Sequence, residues 1–145
     1  MGIARRQLVV LLLALLAVAP TAAWAQSSTI AIDDAWTRPT AGFVKTAAVY
    51  FTIINSGSAA DRLIAAASPA ADRAEAHINI REGDIVRMRR VISVDVPANS
   101  KTVFQPNGFH VMLTGLKTPL KAGDSVALSL QFADAGVITV PVTVR

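Results

Sequence analysis

The chain has 145 residues and no cysteine, and 52% of its residues are hydrophobic. Its 14 Lys and Arg residues against 10 Asp and Glu give a net charge of +4, which is too small for the basic footprint of a nucleic-acid-binding surface. The composition therefore excludes nucleic acid as a partner, and the absence of cysteine excludes a thiol nucleophile.

The N-terminus has the three parts of a secretory signal peptide in order. Arg5 and Arg6 supply the positive region, an apolar run follows over residues 8–19, and Ala23-Trp24-Ala25 offers the small residues of a cleavage site. Twelve apolar residues fall short of the roughly 20 that a membrane-spanning helix needs, and no cysteine follows for a lipid anchor. We therefore expect export, with residues 1–25 a signal peptide and no stable membrane insertion.

The remaining residues 26–145 form one domain of ordinary size, with 12 basic against 10 acidic residues and a net charge of +2. Apolar and polar side chains alternate over residues 125–132 and 138–144, which is the pattern of strands with one buried face. Residues 47–54 form a third strand run that is expected to be more deeply buried. Turn residues separate these runs, so the sequence predicts an all-β sandwich of seven to nine strands. Pro141 places the last strand at an edge there, and helix is expected only as a turn within residues 69–72.

A hairpin is predicted in the middle of the domain. If residues 81–84 form a four-residue loop, Ile80 pairs with Ile85, and counting back places His77 directly across from Met88. Cross-strand neighbours have Cβ atoms about 4.5 to 5.5 Å apart. Both side chains then reach one ion.

The next strand carries a second pair. His110 and Met112 are two residues apart, so they project to one side of the strand while Val111 and Leu113 point into the core. A contact between this pair and the hairpin pair completes a set of two imidazoles and two thioethers.

These ligand types favour copper. Once Met1 is removed with the signal, the chain retains two histidines and two methionines. Thioethers suit Cu(I), and by the same softness Ag(I), whereas a blue-copper carrier requires a cysteine ligand. A single methionine is more often core filler and a single histidine more often a surface residue. The pairing of all four is what predicts one Cu(I) site formed by His77, Met88, His110 and Met112.

The same residues fit the signature of a known family: a His, ten residues, a Met, twenty-one residues, then His-x-Met. The chain resembles the periplasmic copper chaperones of the PCuAC family, and further likeness lies in Ala35-Trp36-Thr37-Arg38 and Gly115-Leu116-Lys117. The resemblance implies a periplasmic protein with a cupredoxin-like Greek-key β-sandwich, and we expect it to be a monomer. It also implies Cu(I) delivery to the CuA centre in cytochrome c oxidase subunit II, directly or through a thiol-containing assembly factor.

The chain departs from this family in two ways. Relatives often carry extra methionines near the first His and before the Met ligand, where this sequence has Ile78-Asn79 and Asp84-Ile85-Val86. Some relatives also have a C-terminal tail rich in His and Met, whereas this sequence ends at Arg145. We therefore expect one copper site.

Two other features have alternative interpretations. Trp36 is expected in the core, although a tryptophan also serves to cover a site or anchor a partner. Four arginines crowd the predicted hairpin, where they either dock an acidic partner or form a solvated strand face: Arg81, Arg87, Arg89 and Arg90.

Two competing functions remain. A copper or silver sequestration protein would have the same ligands, so sequence does not separate it from a chaperone. A hydrolase that uses His110 with a serine and an aspartate is disfavoured because no nucleophile-elbow motif is present. We therefore expect a protein that is not an enzyme.

Overall fold

The computed structural model describes residues 29–145. The predicted signal peptide lies outside these residues. Within them, no helix is long and apolar enough to cross a membrane. The described chain forms ten strands: β1 (Ile30–Thr37), β2 (Thr46–Asn55), β3 (Asp61–Ala67), β4 (Ala71–Glu82), β5 (Ile85–Arg90), β6 (Val94–Val96), β7 (Ser100–Phe104), β8 (Phe109–Leu116), β9 (Ser125–Phe132) and β10 (Gly136–Val144).

All ten strands belong to one sheet, in the order β5-β4-β8-β7-β2-β1-β10-β9-β3-β6. An additional pairing between β3 and β4, at Ala66 and Ala74, closes this sheet on itself. The architecture is the expected all-β, cupredoxin-like Greek-key fold, with the expected sandwich closed into a barrel. The expected count of seven to nine strands is wrong for the described residues, because a strand as short as β6 is too brief to show a period of two.

The core forms because alternate side chains of each strand point into the barrel. Along β2, Val49, Phe51 and Ile53 are each at most 2% exposed, while the residues between them are half-buried. The Phe51 ring stacks on Phe104 of β7 with centroids 4.4 Å apart, and burying one such side chain contributes roughly 1.5–3 kcal/mol. The inner face is mostly apolar, with Thr37 and Asn55 among the few buried polar residues, so most polar side chains lie on the outer face.

The predicted edge position of Pro141 is confirmed. β10 pairs with β9 from Gly136 to Thr143, but with β1 only at Thr143 and Val144, so Pro141 faces an edge on that side. The helical turn expected within residues 69–72 is absent, because residues 69–70 form a non-helical turn and residues 71–72 already belong to β4.

Candidate metal centre

The β4–β5 hairpin turns more tightly than the sequence suggests. Its loop has two residues, Gly83 and Asp84, and the flanking Glu82 and Ile85 are already paired. Gly83 has φ 64°, the left-handed conformation that two-residue hairpin loops require and that glycine adopts without steric cost. The expected four-residue loop is therefore wrong.

The shorter loop moves every cross-strand pair of the hairpin by two residues. Met88 lies opposite Asn79 and not opposite His77, whose partner is Arg90. The prediction that His77 directly faces Met88 is wrong. Since the shift is an even number, both side chains still project to the same face of the hairpin.

Strand β8 brings the second pair to that face. His110 lies directly opposite His77 in the β4–β8 ladder, and Met112 follows two residues later on the same side. Val111 and Leu113 are fully buried, as expected. All four candidate ligands therefore project from the outer face of three adjacent strands, β5, β4 and β8.

His110 is the centre of this group. Its Nε2 atom lies 3.2 Å from Sδ of Met88, and its ring lies 5.9 Å from that of His77, centroid to centroid, at an interplanar angle of 17°. The contact between the hairpin pair and the β8 pair that the sequence analysis requires is thus present. Met88 makes it by reaching across β4, because β5 and β8 are not adjacent.

Backbone carbonyls fix which nitrogen of each histidine carries the proton. Nδ1 of His77 lies 3.0 Å from the carbonyl oxygen of Glu75, and Nδ1 of His110 lies 3.2 Å from that of Gly108. A carbonyl only accepts hydrogen bonds, so each Nδ1 is the donor, and each neutral ring keeps its lone pair on Nε2. Histidines that bind metals are oriented by hydrogen bonds of this kind.

The turn before β8 holds His110 in place. The Gly108 carbonyl also accepts a hydrogen bond from the backbone N–H of Asn79 at 3.2 Å, and the Gly108 N–H donates to the Gln105 carbonyl at 3.0 Å. Asn107 has φ 66° within this turn, a conformation that asparagine tolerates better than most residues. The turn therefore ties the β8 end of the site to β4.

The ligands differ sharply in burial. His110 is 3% exposed, whereas Met88 is 51% exposed. Burial lowers the pKa of His110 because it penalises the charged imidazolium, and the charge of nearby His77 lowers it further, while the hydrogen bond to Gly108 acts in the opposite direction. His110 is therefore neutral at physiological pH, with an accessible thioether beside it.

An aromatic row continues from the site across the outer face. The Tyr50 ring lies 6.4 Å from His110, and Trp36 lies 4.8 Å from Tyr50, both measured between centroids. Arg145 sits over Trp36, with Cζ 4.9 Å from the ring centroid. The expectation that Trp36 is a core residue is wrong: it is half-buried on the outer face, because it is the cross-strand partner of Tyr50. The position of Tyr50 beside His110 was not predicted, although Tyr50 lies between the large apolar residues Val49 and Phe51, which point inward.

Three of the four hairpin arginines form ion pairs within the chain. Nε of Arg87 and Nη2 of Arg89 lie 3.3 and 3.6 Å from the carboxylate of Glu82, and Nε of Arg90 lies 3.0 Å from that of Glu75. Arg87 and Arg89 project to the face opposite the candidate ligands, whereas Arg90 shares the ligand face. The two earlier interpretations of this cluster, partner docking and a solvated face, stay predictions.

Solved structures of PCuAC domains share this closed all-β fold. The copper-bound PCuAC domain from PmoF2 superposes with a TM-score of 0.69 at 26% identity, over 81% of this chain and 92% of that one. The solution structure of CuI-DR1885 from Deinococcus radiodurans gives a TM-score of 0.66 at 30% identity, over 85% and 83%. The fold is that of PCuAC domains.

The family follows from sequence comparison. The model of the LpqE-like family, described as putative lipoprotein LpqE-like, matches residues 30–144, and the chain belongs to this family. It is 32% identical over 121 residues to the putative lipoprotein Lxx21020 of Leifsonia xyli subsp. xyli, covering 83% of this chain and 72% of that one. It is also 32% identical over 106 residues to the uncharacterised protein RP573 of Rickettsia prowazekii, covering 68% of this chain and 57% of that one.

Proposed function

We propose that this chain is an exported, non-enzymatic copper carrier that binds one Cu(I) through His77, Met88, His110 and Met112. The observation that carries the proposal is the 3.2 Å approach of His110 Nε2 to Met88 Sδ. With its proton on Nδ1, His110 points the lone pair of Nε2 at the Met88 sulfur, which also carries lone pairs. Two electron-pair donors at this distance are stabilised when both bind the same cation.

The chemistry of the ligand set supports copper as the cargo. Imidazole and thioether are neutral, and the thioether is a soft ligand that suits Cu(I) and is a poor ligand for Mg²⁺ or Ca²⁺. The structural relatives described above include a copper-bound PCuAC domain and a CuI-DR1885. Both the donor types and these likenesses therefore favour Cu(I).

Release is expected to begin at the exposed ligand. Met88 is 51% exposed, so an incoming thiolate reaches it before the buried His110. A recipient with cysteine ligands offers negative charge and softer sulfur, so equilibrium favours transfer to it. We propose the periplasm as the site of action and the CuA centre of cytochrome c oxidase subunit II, or a thiol-containing assembly factor, as the recipient, with the carrier acting as a monomer.

A transfer experiment separates this function from sequestration. The copper-loaded protein is mixed with an apo acceptor that carries a Cys-containing CuA domain, and the rate of metallation is followed at increasing acceptor concentration. A rate that rises with acceptor concentration supports direct transfer through a complex. A rate that stays at the off-rate measured with a chelator would instead identify a passive copper store.

A further inference from the structure

A carboxylate lies on the same face as the candidate ligands. Glu75 is two residues before His77 on β4, so both side chains project to the outer face, and Glu75 lies directly opposite Met112 of β8. Its own backbone carbonyl accepts the Nδ1–H of His77. The Glu75 side chain is 31% exposed. By position in the sheet, Glu75 is therefore next to His77 along β4 and next to Met112 across the ladder.

Arg90 holds this carboxylate. It lies directly opposite His77 in the β4–β5 ladder, and its Nε atom is 3.0 Å from Oε1 of Glu75. The pair connects the outer strand of the hairpin to the strand that carries His77.

Among residues 29–145, no three His, Cys, Asp or Glu side chains are placed to hold a metal ion, and the Glu75 carboxylate is paired with Arg90. Release of Glu75 from this ion pair would offer a second donor set beside the first. Two imidazoles with two thioethers suit Cu(I), whereas two imidazoles with one carboxylate are a known ligand set of Zn²⁺. His77 and His110 belong to both. A free carboxylate at Glu75 would add negative charge and a hard oxygen beside them, and both changes favour divalent ions.

We propose that the Arg90–Glu75 ion pair sets the metal selectivity of the site by withholding the Glu75 carboxylate from the bound ion. The Arg90 guanidinium pairs with the Glu75 carboxylate and neutralises its charge, so the proposed copper ligands are left without a negative charge beside them. Specificity then arises from disfavouring the competitor as well as from binding the preferred ion. This inference rests on the proposed copper function.

The position of the pair argues against a purely structural role. The Arg90 side chain is 60% exposed, and exposed ion pairs add little to folding stability. Arg87 provides a matched comparison, since it pairs with Glu82 at 3.3 Å on the same hairpin with a 57% exposed side chain. Arg87 projects to the other face, so its ion pair lies away from the imidazoles.

The test measures two affinities in the Arg90→Gln protein, each by competition with a chromophoric chelator. We expect the affinity for Zn²⁺ to rise at least about tenfold, the scale on which groups that orient metal ligands act, and the affinity for Cu(I) to change much less. Arg87→Gln is expected to leave both unchanged. Adding Glu75→Gln to the Arg90→Gln protein is expected to return Zn²⁺ affinity to that of the unmodified protein, and Arg90→Lys to retain most of the selectivity.

The outcomes separate this inference from the function on which it rests. If the unmodified protein fails to bind Cu(I), the proposed function is wrong. If it binds Cu(I) while Arg90→Gln, folded by circular dichroism, has unchanged Zn²⁺ affinity, the selectivity role of the pair is wrong and the copper function stands. A loss of Cu(I) affinity in the single Glu75→Gln variant would also overturn the inference, because it would make Glu75 a ligand in the unmodified site.

Discussion

Met88→Ala removes a proposed ligand at small cost to the fold. At a fully buried position, a Met→Ala change lowers the free energy of unfolding by about 2–5 kcal/mol, but Met88 is 51% exposed. Half of the lower value gives a loss of about 1 kcal/mol in the free energy of unfolding, which corresponds to a fall in Tm of about 4 °C for a domain of this size. The apo variant therefore stays folded.

The effect on copper is expected to be larger than the effect on folding. Without the Met88 sulfur, the 3.2 Å partner of His110 Nε2 is lost and the ion keeps three of its four ligands. We expect the Cu(I) affinity to fall at least about tenfold, equivalent to about 1.4 kcal/mol. Competition with a chromophoric Cu(I) chelator measures this value, and the copper-induced rise in Tm provides a second readout because a ligand stabilises the state that binds it.

Ile85→Ala is the matched control. Ile85 lies on the same strand and is 56% exposed, but it projects to the face opposite Met88. Both variants should lose similar stability in the apo state, and only Met88→Ala should lose copper affinity. Equal Cu(I) affinities in the two variants would show that Met88 is not a ligand and would refute the interpretation of its contact with His110.

Two further expectations follow from the structure. Burial lowers the pKa of His110, so as the pH falls below about 6.5, an ordinary imidazole value, the unfolded chain takes up a proton before the folded chain does. The free energy of unfolding of the apo protein should thus fall from about pH 6.5 down to the lowered pKa. A His110→Gln variant whose free energy of unfolding in urea falls equally steeply as the pH is lowered would contradict this. Gly115 has φ 74°, and a Cβ there would meet the side chain of Asp72, so Gly115→Ala should cost about 1–3 kcal/mol. An unchanged urea midpoint would show that β8 adjusts freely, and an Asp72→Ala background should recover part of any loss.

Sequence alternation predicts the face of the sheet on which each candidate ligand lies, but it does not predict the cross-strand partner of that residue. Alternation along β8 correctly placed Val111 in the core and His110 on the other side. The hairpin register was mispredicted because it depends on the length of the loop. The residues around Gly83 are compatible with both a two-residue and a four-residue loop. Since these alternatives differ by two residues, the error changed the partner of Met88 and left its face intact.

Other features of the site depend on contacts between distant segments. The ion pair between Glu75 and Arg90 requires the register that the sequence left open. The proximity of Tyr50 to His110 requires β2 to pair with β8, which no local pattern encodes. Residue type and alternation therefore point to the candidate ligands more readily than to the residues that orient or surround them.

The exposed edge position of β5 gives the hairpin a distinct energetic role. All six residues of β5 are exposed, and within residues 29–145 the strand ends the sheet with β4 as its one neighbour. Detaching it breaks a single ladder and uncovers none of the barrel interior, so local opening there costs less free energy than opening elsewhere. Because Met88 is on this strand, any ion that binds its sulfur together with His110 also fastens the strand to the barrel. Amide hydrogen exchange along β5 should therefore report occupancy of the site directly, slow when it is filled and fast when it is empty.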